Sequence, residues 1–97
     1  MCSDPVKTDP DLYSVVFENE RVRVLEYRDH PGDRTSSHSH PDMVIIPLAT
    51  FRRRLTVDGR TVEVEKVVHD AGWVPAQTHA GENIGTTDSH ALFVELK

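Results

Sequence analysis

The stretch Phe51-Arg52-Arg53-Arg54-Leu55-Thr56-Val57-Asp58-Gly59-Arg60-Thr61-Val62-Glu63-Val64-Glu65-Lys66-Val67 decides the fold class. Asp58-Gly59 is the strongest short-range hairpin signal a sequence can carry, because this dipeptide suits the tight turn between two antiparallel strands. In the arm that follows, Val62 and Val64 alternate with Glu63 and Glu65, as a strand with one buried and one wet face requires. The arm before it holds the chain's one dense basic run. Neighbours on a strand point to opposite faces, so Arg52 and Arg54 share one side and Arg53 takes the other. Such a run suits a solvated face or an edge guarded against aggregation. The alternative is an arginine that reaches a substrate carboxylate or a partner subunit.

Strand signals lie on both sides of this hairpin. Upstream, Tyr13 to Glu18 is rich in β-branched and aromatic residues. Asn19-Glu20 makes a turn, and Arg21 to Tyr27 alternates Val22 and Val24 with Arg21 and Arg23. His30-Pro31-Gly32-Asp33 is a loop. Met43 to Leu48 is a short apolar run whose Pro47 suggests an edge or a bulge. Downstream, Trp73-Val74-Pro75 and Ala91 to Leu96 read as further strands. No segment sustains a helical period over a dozen residues, and there is no internal repeat. The expected fold is all-β, a small antiparallel barrel or jelly roll with helix content near nil. Residues 12–97 should form one domain behind an irregular lead-in, residues 1–11, punctuated by Asp4-Pro5 and Asp9-Pro10.

Length and composition narrow the function. With 97 residues the chain suffices for one domain with a thin core, and its aromatic content of 6% points to help from oligomerisation. No stretch approaches the ~20 apolar residues of a membrane-spanning helix. The start, Met1-Cys2-Ser3-Asp4-Pro5, has neither a basic nor an apolar segment of a secretory signal. A single cysteine, Cys2, excludes an intramolecular disulfide and suits a reducing compartment, so a cytoplasmic protein is expected. A formal charge of −5 with acidic residues spread along the chain argues against a nucleic-acid partner.

The six histidines carry the chemistry. His38-Ser39-His40 places two imidazoles on one face if the segment is extended, with Cα atoms ~7 Å apart. Two nitrogens so spaced can converge on one cation at ~2.0–2.2 Å each. Alone, such a pair is also common on surfaces. Its surroundings add weight: Gly32 lies six residues before His38, and Pro75-Ala76-Gln77-Thr78-His79-Ala80-Gly81-Glu82-Asn83 supplies a third histidine after a strand and a proline turn.

Together these segments resemble the two sequence motifs of the cupin superfamily, over most of the chain from about Arg21 to Lys97. The resemblance implies a divalent metal held inside a small barrel by His38, His40 and His79. It also implies a homodimer, and suggests as nearest relatives small one-domain bacterial cupins, some of them associated with β-alanine breakdown. The departures from the motifs have chemical content. Val44 and Ile45 stand where a glutamate ligand is usual, His69 stands where the second motif has its first glycine, and Gln77 replaces another glycine. Asn83 keeps its place. Three neutral imidazoles leave a divalent ion its full charge, which makes it a stronger Lewis acid toward an anionic substrate. A carboxylate-containing triad is the commoner arrangement for non-haem iron oxygenases. The superfamily nevertheless includes three-histidine iron dioxygenases, so a metal-dependent dioxygenase of Fe(II) type is the enzymatic reading, with Ni, Mn, Cu or Zn as other ions. The alternatives are a non-catalytic barrel that binds or senses a small ligand, and a barrel whose metal site has decayed.

Asn83 or Gln77 is expected to orient an imidazole. Val44, Ile46, Phe51 and Trp73 are expected pocket walls. His90 shares a strand face with Leu92 and Val94, and if that face looks inward it is a fourth ligand or an acid/base. Glu82, three residues past His79, has the wrong parity for a ligand on a continuing strand. Asp42 reads as a turn residue, and His30 and His69 as solvent-facing. No nucleophilic triad is supported.

Overall fold

The computed structural model describes residues 4–97; Cys2 lies outside them. One helical turn, α1 (Pro5–Thr8), precedes nine strands: β1 (Tyr13–Glu18), β2 (Val22–Asp29), β3 (His38–His40), β4 (Met43–Pro47), β5 (Phe51–Val57), β6 (Arg60–Lys66), β7 (Gly72–Val74), β8 (Gln77–Asn83) and β9 (Ser89–Leu96). The lead-in thus contains a turn of helix. Asp4 caps it by accepting the Val6 N–H at 2.9 Å, and Pro5 sits at the start, where a missing N–H costs nothing.

The strands form two antiparallel sheets, ordered β1-β2-β9-β4-β7 and β3-β8-β5-β6. Asp58 and Gly59 make the β5–β6 turn with φ of 52° and 75°, the left-handed pair that a two-residue hairpin needs. The core lies between the sheets: Tyr13, Leu25, Tyr27, Met43, Ile45, Phe51, Ala91 and Phe93. Its members recur every second residue, because a strand offers alternate side chains to one face.

Two expectations about strand faces fail. Val62 is exposed and Val64 only half-buried, because β6 is an edge strand with β5 as its one strand neighbour. The faces of β4, β7 and β9 are also reversed. Met43, Ile45 and Val74 turn inward, so Val44, Ile46 and Trp73 lie on the outer face, with Trp73 57% exposed. On β9 the buried residues are Ser89, Ala91, Phe93 and Glu95, which puts His90, Leu92 and Val94 outside. Pro47 closes β4 beyond the end of β7, so its missing N–H breaks no ladder there.

Candidate metal centre

β3 and β8 pair antiparallel with His38 opposite His79 and His40 opposite Gln77. His38 and His40 share the inner face by their two-residue spacing, and the register delivers His79 beside them. Ring centroids stand 4.7 Å apart for His38–His40, 4.9 Å for His38–His79 and 5.1 Å for His40–His79. One nitrogen from each ring lies within 4.8 Å of the other two, a grouping that could hold a metal ion. His38 and His40 are buried and His79 is half-buried.

Each ring is oriented through Nδ1. His38 donates to the Ser36 carbonyl at 2.9 Å, His40 to Glu95 Oε2 at 2.9 Å, and His79 to Gln77 Oε1 at 3.0 Å. Gln77 is itself held by its amide N–H on the Pro75 carbonyl, at 3.3 Å. With Nδ1 donating in all three, Nε2 is the nitrogen that each ring has left for a ligand. The His38 Nε2 has the Tyr13 hydroxyl 3.4 Å away. Among the described residues, the His40 Nε2 is the one buried side-chain nitrogen or oxygen without a hydrogen-bond partner. A buried orphan of this kind calls for an explanation, and a cation among three convergent lone pairs supplies one.

Electrostatics keeps two of the rings, His38 and His79, neutral. Burial and the neighbouring His40 push His38 down to about 4 and His79 to about 3, so both are unprotonated near neutrality. Behind His40, the buried Glu95 is clamped by Arg23, whose Nε donates to Oε1 at 2.9 Å, and Arg23 in turn grips Asp4 at 2.8 Å. Such an outer carboxylate fixes the orientation of the ring. Sequence reading missed Glu95, although an acid two residues past Phe93 on the closing strand was a parity signal. At the position where the glutamate ligand is usual, the inward side chain is the apolar Ile45.

A cavity of about 80 Å³ opens beside the rings, lined by His38, His79, Tyr13, Phe51, Phe93 and Arg53 among others. Of the expected wall residues, Phe51 lines it. Val44, Ile46 and Trp73 do not, and Val74 takes the place of Trp73. Asn83 is buried but touches none of the histidines. Its side-chain amide donates to Asp29 Oδ1 at 3.0 Å and to the Thr87 carbonyl at 2.9 Å. His90 pairs with Glu26 at 2.7 Å on the outer face, which removes it from the ligand set. Glu82 lies 3.5 Å from Arg34 and 3.7 Å from Arg54, away from the cavity. Asp42 accepts the Ala76 N–H at 2.8 Å, as a turn residue does. His30 pairs with Asp88 at the surface, and His69 is exposed in a turn.

The backbone of this jelly-roll sandwich is similar to several solved structures. A cupin domain from Bordetella pertussis superposes with a TM-score of 0.83 at 28% identity, covering 89% of this chain and 92% of that one. This is the cupin fold. A cupin superfamily protein from Desulfitobacterium hafniense (TM-score 0.64, 22% identity, 88% of this chain and 75% of that one) shares it. So does an RmlC-like cupin from Methanocaldococcus jannaschii (TM-score 0.70, 14% identity, 88% and 78%). No protein-family model and no curated protein matches the sequence. Among the described residues no helix is long and apolar enough to cross a membrane.

Proposed function

We propose that this cupin binds a divalent transition metal through His38, His40 and His79 and uses it on a small molecule, an Fe(II)-dependent oxygenation being the reaction to test first. The observation that carries this reading is the His40 Nε2, buried without a partner and facing two further imidazoles whose Nδ1 atoms are already engaged. An all-imidazole donor set suits iron, nickel, manganese, copper or zinc, with availability deciding among them. When bound, such an ion supplies Lewis acidity or an oxygen-binding centre. The protein's own part is to fix the rings, to keep His38 and His79 neutral, and to wall the cavity with apolar side chains such as Phe51 and Phe93. The β-alanine association suggested by the motifs gains no support from the matched relatives, which are described only as cupins.

Metal content by mass spectrometry on untagged protein tests the reading, with His79→Ala and the His38→Ala/His40→Ala double variant alongside. Near-stoichiometric metal that vanishes from folded variants is the expected result, and oxygen uptake with diketones and thiols then follows. A well-folded parent that refuses added metal overturns the reading and leaves a small-ligand binder.

We further propose a homodimer, in the cytoplasm as the single cysteine suits. Its support is the outer face of the five-stranded sheet. Phe17, Val24, Val94, Val44 and Trp73 are cross-strand neighbours in one row over all five strands. At ~4.8 Å per strand that row is about 19 Å wide. The solvated face of an antiparallel sheet is ordinarily polar, and a second copy of the same apolar face would cover this one by two-fold symmetry. Light scattering should report a dimer that Trp73→Glu/Val44→Glu converts to a monomer. A monomeric parent at micromolar concentration would remove this proposal.

A further inference from the structure

Arg53 is the one member of the basic run that turns inward. It is 9% exposed, between Val64 of β6 and Asn83 of β8 in register. Its Nη1 donates to Asp29 Oδ2 at 2.6 Å and to Ser89 Oγ at 3.3 Å, and its guanidinium lies 4.9 Å over the Tyr27 ring. Asp29 is already crowded with donors: the Tyr27 hydroxyl, the Asn83 amide at 3.0 Å and the Ser89 backbone N–H at 3.2 Å. The arginine is therefore held by one corner of its fork.

The rest of the fork lies beside Gly81 of β8. Nη2 passes so close to Gly81 that a Cβ there would stand 2.6 Å from it, so the glycine is what admits the guanidinium. Among the described residues neither Nη2 nor Nε has an acceptor, and Arg53 lines the same cavity as His38 and His79. A guanidinium is always charged and offers five N–H donors in a plane that matches a carboxylate. Arg53 is largely buried while its unpartnered nitrogens stay open to water, and such free donors on a small cavity make a ready anion site.

We propose that Arg53 anchors the carboxylate of the substrate, so that the cavity takes a short carboxylic acid with its other end toward the histidine cluster. This assignment rests on reading the cavity as the substrate site, though not on the cation itself. Size agrees with it. A cavity of about 80 Å³ is roughly half the ~150 Å³ that accommodates benzene, which limits the occupant to a few heavy atoms. Asp29 neutralises the charge of Arg53 without covering its free edge, and Tyr27 supports the plane from below.

The test compares propionate with its neutral isostere propionamide by NMR titration, on metal-free and metal-loaded protein. In the parent, propionate should bind on the order of tenfold more tightly than propionamide in both forms, with the Arg53 side-chain N–H resonance shifting. Removing Arg53 alone would strand Asp29 as an unpaired buried charge, so the variant is the pair Asp29→Asn/Arg53→Met. It should keep the fold and lose the preference. Gly81→Ala, whose Cβ would push Nη2 aside, should weaken propionate more than propionamide. A parent without preference overturns the proposal, as does a double variant that retains it. A preference that appears only with metal and survives the double variant assigns the carboxylate to the metal instead. Failure of the metal reading shows separately, as a parent that takes up no metal while the metal-free titration still reports on Arg53.

Discussion

Two ends of one interior use the same device to different purpose. At one end, β2 and β9 contribute Arg23 and Glu95, directly opposite in register, and the carboxylate holds His40. At the other end the same two strands contribute Asp29 and Ser89, again in register, and the carboxylate holds Arg53. Each end buries a carboxylate with a cationic partner. The first fixes an imidazole so that its far nitrogen is left over. The second fixes a permanent cation so that part of its fork is left over. A buried carboxylate is costly unless paired, and here the pairing orients a group whose unsatisfied side faces the space between the sheets.

The comparison can be broken from the arginine end first. Asp29→Ala leaves Arg53 an uncompensated buried charge, a loss of about 3–5 kcal/mol of stability. Chemical denaturation should show that loss, while the folded fraction still takes up metal as the parent does. Parallel loss of metal binding in folded protein would mean the two ends are not separable. At the histidine end, Glu95→Gln weakens the hold on the His40 Nδ1–H, and metal affinity should drop about 10–100-fold in competition with a chelator. An unchanged affinity would reduce Glu95 to a partner of Arg23.

Acid gives the most gradual effect. His38 and His79 have native values pushed below the ordinary 6.5, to about 4 and about 3, by burial and by His40. Above 6.5 neither state binds the proton, and their contribution to stability is fully present. As pH falls from 6.5 toward 4 and then 3, the unfolded chain takes up protons that the native rings refuse, and stability declines. Asp29 works in a lower window. Burial raises its pKa, but hydrogen bonds from Tyr27, Ser89 and Arg53 outweigh that and hold it below the ordinary 3.8, so its share is lost only under stronger acid. Metal-free protein should therefore lose thermal stability between pH 6.5 and 4, and His38→Gln/His79→Gln should flatten that slope. An identical slope in the variant would place the titrating groups elsewhere.

The fold and the histidine cluster were largely legible along the chain. Period-two alternation and Asp58-Gly59 specify strands and a hairpin locally, and His38-Ser39-His40 shares a face wherever the chain is extended. The faces of β4, β7 and β9 were not legible. On β9 the outer positions His90, Leu92, Val94 and Leu96 are mostly aliphatic, while the inner ones include Ser89 and Glu95. Hydrophobicity therefore pointed the wrong way. On β9 the physical source is that polar groups are drawn inward by partners on other strands, as Glu95 is by His40 and Ser89 by Arg53.

By itself the sequence determined what adjacent residues decide: all-β architecture, the tight turn, the paired histidines, and the opposite facing of Arg53 from Arg52 and Arg54. Only the tertiary structure decided which of two faces is the inside, and so which polar residues meet there. Strand parity offers two equivalent choices, and the choice is made by cross-strand contacts such as Glu95 with His40 and Asp29 with Arg53, 55 and 24 residues apart in the chain. No local pattern encodes those distances, because packing two sheets face to face brings them to zero.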